Sequence, residues 1–418
     1  MKTILNDKEN ANSDRFILPK QQNADVEYSI NQLVNQLDFN SLNTTYQPFT
    51  GGENPIYINT GFNIFLKVGI TDLFEDYRIT GGIRISSSLE DNEYILSYDN
   101  LKKRLDKQIV FHRKSFKDAT DYSVVHHHTN ELYYILKWPF NQVISIKGTS
   151  SLRNDKAVYL STDIDNLIKS DIYNTWAGLK AEFVFDNTRK KGLNLYYGTR
   201  YKMFAEYFKL IDKNTEQSLT VFGFDYRHYQ KIHKTFIWAN RFAASTSIGP
   251  SKLIYYMGGV DNWLFPKFNN EINVDKEQHY IYQTLATNMR GFRQNIRNGN
   301  SFAVINSELR LPVFKYFSNK PIKSDFWENF QIIGFGDIGT AWTGINPYSD
   351  KNSLFTHTIT KGPITVIIKD QREPVVIGYG FGLRSRILGY FVRADWAWGI
   401  EDYKFYPMQF YISLSLDF

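Results

Sequence analysis

The chain has 418 residues, a formal net charge of +6, no cysteine and an aromatic content of 16% with 28 Tyr and 32 Phe. Without cysteine there are no disulfides and no thiolate metal centres, and so small a positive excess does not imply a nucleic-acid partner. No apolar run is long enough for a membrane-crossing helix, whereas a mean hydropathy of -0.40 suits a barrel in which only alternate residues face lipid.

Residues 1–60 are polar and read as a periplasmic lead-in, partly disordered or with one short helix expected around Tyr28–Leu37. Residues 1–25 lack the apolar stretch of a secretory signal. The sequence is therefore expected to begin after a processing site or to be a piece of a longer product, with an artificial Met1. From Gly61 onward the chain alternates. Phe62, Ile64, Leu66, Val68 and Ile70 interleave with Asn63, Lys67 and Thr71, the period of a strand with two unlike faces. Strands are expected near 61–72, 77–88, 92–101, 107–117, 131–139, 141–150, 172–186, 192–211, 217–229, 233–247, 252–259, 300–313, 330–343, 374–386, 388–399 and 406–418.

The last of these carries apolar Phe410, Ile412, Leu414, Leu416 and Phe418, separated by amphipathic or polar residues. An alternating final strand that ends on Phe is the usual closing strand of a bacterial outer-membrane barrel. A half-buried strand of a soluble β-protein alternates too. The even strand count and the strand lengths favour the barrel. The expectation is an all-β protein: residues 61–418 form a sixteen-stranded antiparallel transmembrane β-barrel with both ends periplasmic. The first strand (61–72) should pair with the last, and the long connections 260–299 and 344–373 should lie outside.

Several residues invite other readings. His126, His127 and His128 could suggest a metal, but neighbours on a strand point opposite ways, and a solvated turn with no metal is preferred. Lys102-Lys103-Arg104 and Arg189-Lys190-Lys191 fall in connections expected outside, where they could meet lipopolysaccharide phosphates; ordinary solvated loops are the alternative. Trp342, Trp396 and Trp398 have lipid-facing parity and read as interface anchors. No G-x-S-x-G, P-loop, H-E-x-x-H or dinucleotide fingerprint occurs. No enzyme activity and no cofactor are expected.

Asn288-Met-Arg-Gly-Phe-Arg293 resembles the loop-six signature of the Omp85 superfamily. Phe302–Pro312 resembles that family's twelfth strand, Ile333–Trp342 with its Asp-x-Gly the thirteenth, Gly378–Arg384 the fourteenth, and the terminal strand the sixteenth. Ile70–Asp76 and Gly258–Trp263 resemble the Bacteroidota-type branch, in which a TolB-like propeller often precedes the barrel. The resemblance covers roughly residues 60–418; neither a POTRA repeat nor a propeller is present in the sequence. It implies that loop six folds inward and that Arg290 of the Arg290-Gly291-Phe292 motif pairs with an acidic group on the inner wall. Strand parity puts Phe335, Asp337, Gly339 and Ala341 on one face, and Asn306, Glu308 and Arg310 on another. Asp337 is thus the first candidate partner and Glu308 the second. Gly291 allows a tight loop tip, and Gly334, Gly336 and Gly339 would admit a close backbone approach.

The function implied is assembly of outer-membrane proteins, or polypeptide translocation, through a lateral seam and a loop-six lock. The partners would be outer-membrane lipid, lipopolysaccharide, a polypeptide substrate and subunits of a periplasmic or outer-membrane complex. A passive pore or solute transporter, or a structural subunit of an outer-membrane complex, are the alternatives.

Overall fold

The alternation is realised as one antiparallel sheet. The computed structural model describes residues 28–38, 46–49, 51, 63–86, 91–119, 124–160, 164–213, 216–275, 277–318, 320–349, 352, 354, 356–361, 364–369, 372–387 and 389–414. Among these, eighteen strands form the main sheet. Two of them, Arg189–Gly192 and Lys404–Phe405, are short; the others make a wall of sixteen. In chain order these are β1 (Tyr28–Asp38), β2 (Asn63–Asp72), β3 (Tyr77–Ser86), β4 (Asn92–Asn100), β5 (Asp106–Ala119), β6 (Val124–Pro139), β7 (Ile144–Leu160), β8 (Ile172–Asp186), β9 (Leu195–Leu210), β10 (Ser218–His233), β11 (Phe236–Ile248), β12 (Ser301–Leu311), β13 (Gln331–Trp342), β14 (Val376–Ile387), β15 (Tyr390–Glu401) and β16 (Gln409–Ser413). Each pairs antiparallel with the next. The sheet is not closed: among the described residues no ladder joins β1 to β16.

The faces follow the period of two. On β13, Ile333, Phe335, Asp337, Gly339 and Ala341 are buried while Ile332, Gly334 and Ile338 are exposed. On β12 the exposed positions are Ile305 and Leu309, and the buried ones include Asn306, Glu308 and Arg310. The outward face is apolar and the inward face carries the charge, as a barrel in lipid requires. On β16, Phe410 is exposed while Tyr411 and Ser413 are fully buried; Leu416 and Phe418 lie outside the described residues.

Two elements differ from expectation. Tyr28–Asp38 is a strand, not a helix. It pairs with β2 along the whole of β2, with a register shift between Ile30 and Gln32. A bulge adds one residue and breaks the strict period of two, so its apolar spacing of three and four imitates a helix. Residues 252–259 are not a wall strand. Leu253, Ile254, Tyr255, Tyr256 and Met257 are all buried, and such an unbroken apolar run belongs to a strand covered on both faces. It lies in a four-stranded inner sheet, ordered Arg297–Gly299, Lys252–Met257, Tyr280–Leu285, Gln47–Pro48. One strand is gained and one lost, so β12 is still the twelfth.

The gained strand reverses the direction of every wall strand from β2 to β11 relative to expectation. Because β2 has ladders with both β1 and β3, the first edge of the wall is β1, not residues 61–72. The connections holding Lys102–Arg104 and Arg189–Lys191 therefore lie at the end opposite the long connections 249–300 and 343–375, not at the same end as expected; Arg189–Gly192 is itself a short strand on β9. His126–His128 lie within β6 rather than in a turn, and no group of metal-binding side chains is found among the described residues. Trp396 and Trp398 face outward, stacking at 5.4 Å on Phe381 and 6.0 Å on Tyr379, but Trp396 sits at the middle of β15 rather than at its end.

Candidate functional site

Loop six, residues 249–300, folds into the wall's interior. Its tip brings Arg290 to the inner faces of β12 and β13. Arg290 Nε donates to Asp337 Oδ2 at 2.7 Å and one terminal nitrogen to Oδ1 at 2.7 Å, a two-pronged fork. The other terminal nitrogen donates to Glu308 Oε1 at 2.5 Å. The guanidinium lies 3.7 Å over the Phe335 ring, adding a cation–π contact. Arg290, Asp337 and Glu308 are 1%, 0% and 0% exposed. Burial makes such a pair directional and raises the cost of breaking it.

Glu308 is the hub. Arg310 reaches Oε2 at 2.7 Å and Arg384 of β14 reaches Oε1 at 2.7 Å, so one carboxylate holds three guanidinium groups. Asp337 has Arg290 as its cation and also accepts from Asn306 Nδ2 at 2.9 Å. The two carboxylates that parity placed inward thus meet the same arginine. Arg384 is the member that sequence reasoning missed, although it lies in the segment matched to strand fourteen.

The glycines divide differently from expectation. Gly334 and Gly336 face outward, and a Cβ on either would meet nothing within 4 Å; no backbone approaches them. Gly339 faces inward, where an added Cβ would lie 2.8 Å from the Val304 side chain and 3.3 Å from Met257 of the inner sheet. The close approaches to the tip come from Gly378 of β14 and Gly399 of β15. A Cβ on Gly378 would overlap the Arg290 carbonyl oxygen, and one on Gly399 the Phe292 ring. Gly291 has φ of +95° and packs on the Trp398 carbonyl, a conformation that favours glycine. Gly378→Val is therefore expected to expel the tip and expose residues 290–293 to protease, whereas outward Gly336→Val should not; limited proteolysis of the two variants in sealed vesicles measures the difference.

Loop six is held at a second place. On β3 to β7 a chain of buried groups runs inward: Arg84 to Glu93 at 3.0 Å, Glu93 to His112 at 2.7 Å, His112 to Glu131 at 2.7 Å and Glu131 to Arg153 at 3.2 Å. Arg153 also binds Asp155 at 2.9 Å, and Asp155 accepts from the Tyr282 hydroxyl at 2.8 Å. Tyr282 belongs to loop six and pairs with Pro48 from the connection between β1 and β2. Arg153 donates to the Tyr46 carbonyl at 2.8 Å. Two connections from the same end of the wall are thus bound together inside it. Nothing local in the sequence marks this network, because its members lie far apart along the chain.

No family model and no curated protein matches the chain. Among solved structures, BamA from Haemophilus ducreyi lacking POTRA domains 1–3 is similar, with a TM-score of 0.55 at 11% identity over 85% of this chain and 68% of that one. The chain has the fold of the BamA barrel. CdiB from Acinetobacter baumannii overlaps at a TM-score of 0.47 and 13% identity, covering 93% of this chain and 65% of that one. CdiB from Escherichia coli overlaps at 0.46 and 10%, covering 91% and 67%. The chain spans about two thirds of the length of each. BamA and CdiB are outer-membrane β-barrels of the Omp85 superfamily.

Proposed function

We propose that this chain is an outer-membrane barrel of the Omp85 type that assembles outer-membrane proteins or moves polypeptide into or across that membrane. The observation that carries the reading is the buried fork from Arg290 to Asp337 and Glu308, which fixes a long loop inside an unclosed wall. The mechanism is mechanical. A strand edge offers unpaired amides and carbonyls to an extended peptide, and β1 and β16 bound the open side of the wall. Loop six controls how that side is held, and no covalent step is assigned to any residue. A passive pore fits less well, since the inner sheet and the buried cluster around Leu253, Met257, Met289 and Phe292 occupy the interior.

Lipid contact is assigned to the outward wall. Phe111, Leu132 and Leu152 form one exposed apolar row across β5, β6 and β7. The next outward row toward the long connections is Arg113, Asn130 and Asn154, and the one after brings half-buried His128 and Lys156 beside a buried Ser115. This switch supports a headgroup level there, with Arg113 as the side chain offered to lipid phosphates; Lys156 is already paired with Asp171 at 2.8 Å.

The test is reconstitution. Vesicles containing the full chain should speed insertion of an unfolded outer-membrane barrel protein, or protect a translocated polypeptide from protease, relative to empty vesicles. Ion conductance without either effect would overturn the reading in favour of a pore.

A further inference from the structure

The last wall strand has two edges, and loop six occupies one of them. Toward β15 the ladder runs from Arg393↔Ser413 to Ala397↔Gln409. On the other edge the Leu264 amide donates to the Ile412 carbonyl at 3.0 Å, and the Leu414 amide donates to the Asn262 carbonyl at 3.4 Å. Trp263 stands opposite Ser413 as an antiparallel bridge. Asn262 Nδ2 adds a bond to the Leu414 carbonyl at 2.9 Å. The Trp263 side chain, 5% exposed, meets Tyr411 edge-on at 4.8 Å within a cluster that includes Val260, Ile333 and Phe335.

We propose that residues 262–264 are a resident strand. They hold the β16 edge in the place of an incoming polypeptide strand and must leave before that edge can accept one. The inference deepens the assembly or translocation reading and rests on it. The physical argument begins from the open wall. Unpaired backbone groups are not tolerated in a hydrocarbon layer, so an unclosed sheet needs its last edge covered. A segment of loop six supplies the cover with two backbone bonds, one side-chain bond from Asn262 and one indole anchor, few enough to be exchanged for a longer ladder. The partner it fits is an extended peptide with an aromatic side chain at the position Trp263 occupies.

The cover is also wired to the tip. The Gly259 amide donates to the Phe292 carbonyl at 3.1 Å, and the Met289 amide donates to the Gly259 carbonyl at 3.0 Å. The Tyr411 hydroxyl accepts from the Gly291 amide at 2.9 Å and donates to the Phe292 carbonyl at 2.7 Å. Gly258 and Gly259 have φ of +118° and +78°, which lets the chain turn from the tip to the edge within a few residues. This gives the Gly258–Trp263 stretch a role: it joins the Arg290 contact to the strand that an incoming segment would meet.

Cross-linking tests the proposal, because the chain has no native cysteine. Trp263 and Ser413 form the non-hydrogen-bonded pair of the bridge, where Cα atoms lie about 4.5 Å apart, within disulfide range. The full-length variant Trp263→Cys/Ser413→Cys should form the bond under mild oxidation. Reconstituted in vesicles, the oxidised protein should lose at least tenfold in polypeptide insertion or translocation, and reduction should restore it. The pair Asn154→Cys/Thr175→Cys, whose wild-type side chains touch at 2.9 Å on β7 and β8, should cross-link without changing activity. Failure of the first pair to cross-link while the second does would overturn the proposal, as would equal activity of its oxidised and reduced forms. A labelled synthetic peptide of residues 260–265 supplies a readout independent of activity. It should bind the reduced Trp263→Cys/Ser413→Cys protein and not the oxidised one, and equal binding would overturn the proposal. Peptide captured only by the reduced form, in a protein that moves no polypeptide, would support the resident strand and defeat the broader functional reading.

Discussion

Arg290→Ala should give a folded barrel that no longer handles polypeptide. Its wall ladders do not pass through loop six, so the strands can pair without the arginine. What is lost is the fork to Asp337 and the bond to Glu308. Glu308 keeps Arg310 and Arg384, but Asp337 is left as a fully buried carboxylate without its cation. Removing one partner from a buried pair costs about 3–5 kcal/mol, and here the loop can escape that cost by leaving the wall. The tip should then become accessible to protease, and insertion or translocation should fall at least tenfold. Asp337→Ala should act in the same direction with a smaller effect, because Arg290 retains Glu308. The double variant should be less impaired than the sum of the singles, since neither charge is stranded. Activity and outer-membrane assembly measured for all three decide this. Strictly additive losses would show that the residues act independently, and wild-type activity in both single variants would remove the loop-six mechanism.

What could be read from the sequence was whatever repeats at short range. Alternation in β13 and β12 is strict, so parity alone set Asp337, Glu308 and Arg310 on the inner face before any contact was known. The Arg290-Gly291-Phe292 motif lies near these strands in the chain and could be connected to them through resemblance. The first strand was hidden because the shift between Ile30 and Gln32 disturbs the one signal that betrays a strand. Residues 252–257 were misplaced although they carry a legible sign, a run of apolar residues with no polar alternate. That sign means cover on both faces, which a wall strand facing lipid and lumen does not have. The remaining contacts are non-local by nature. Gly378 and Gly399 face the tip across a gap of more than eighty residues of sequence; glycine in a strand announces a close approach, but not by what. Gly334 and Gly336 show the converse, as strand glycines with open space beside them. Tyr411 reads from its parity as an inward residue, yet nothing nearby in sequence says that its hydroxyl bridges Gly291 and Phe292.

Glu308→Gln should be more damaging to the barrel itself than any change at Arg290. Three guanidinium groups, from Arg290, Arg310 and Arg384, converge on this one carboxylate. It is 0% exposed, as are Arg310 and Arg384. Glutamine keeps the shape and one acceptor oxygen, but it brings an amide that can only donate toward groups that also only donate. The nearest remaining carboxylate to Arg384 is Asp395, at 4.0 Å, and Asp395 is already 3.5 Å from Arg393. Arg310 on β12 and Arg384 on β14, with β13 between them, would then repel each other in a medium that screens them poorly, while Arg290 keeps its fork to Asp337. Arg290 can retreat with its loop, whereas Arg310 and Arg384 are fixed by their ladders. The stress therefore falls on the wall, and a loss of about 3–5 kcal/mol is expected from breaking the buried network. In a gel that separates folded from unfolded barrels, Glu308→Gln should unfold at clearly lower temperature than either the wild type or Arg290→Ala. Adding Arg290→Ala to Glu308→Gln should not recover the loss, because Arg290 is still neutralised by Asp337 and its removal strands that carboxylate as well. A Glu308→Gln barrel as heat-resistant as the wild type would show that this cluster does not hold β12, β13 and β14 together, and would leave Asp337 as the one essential anchor for the loop.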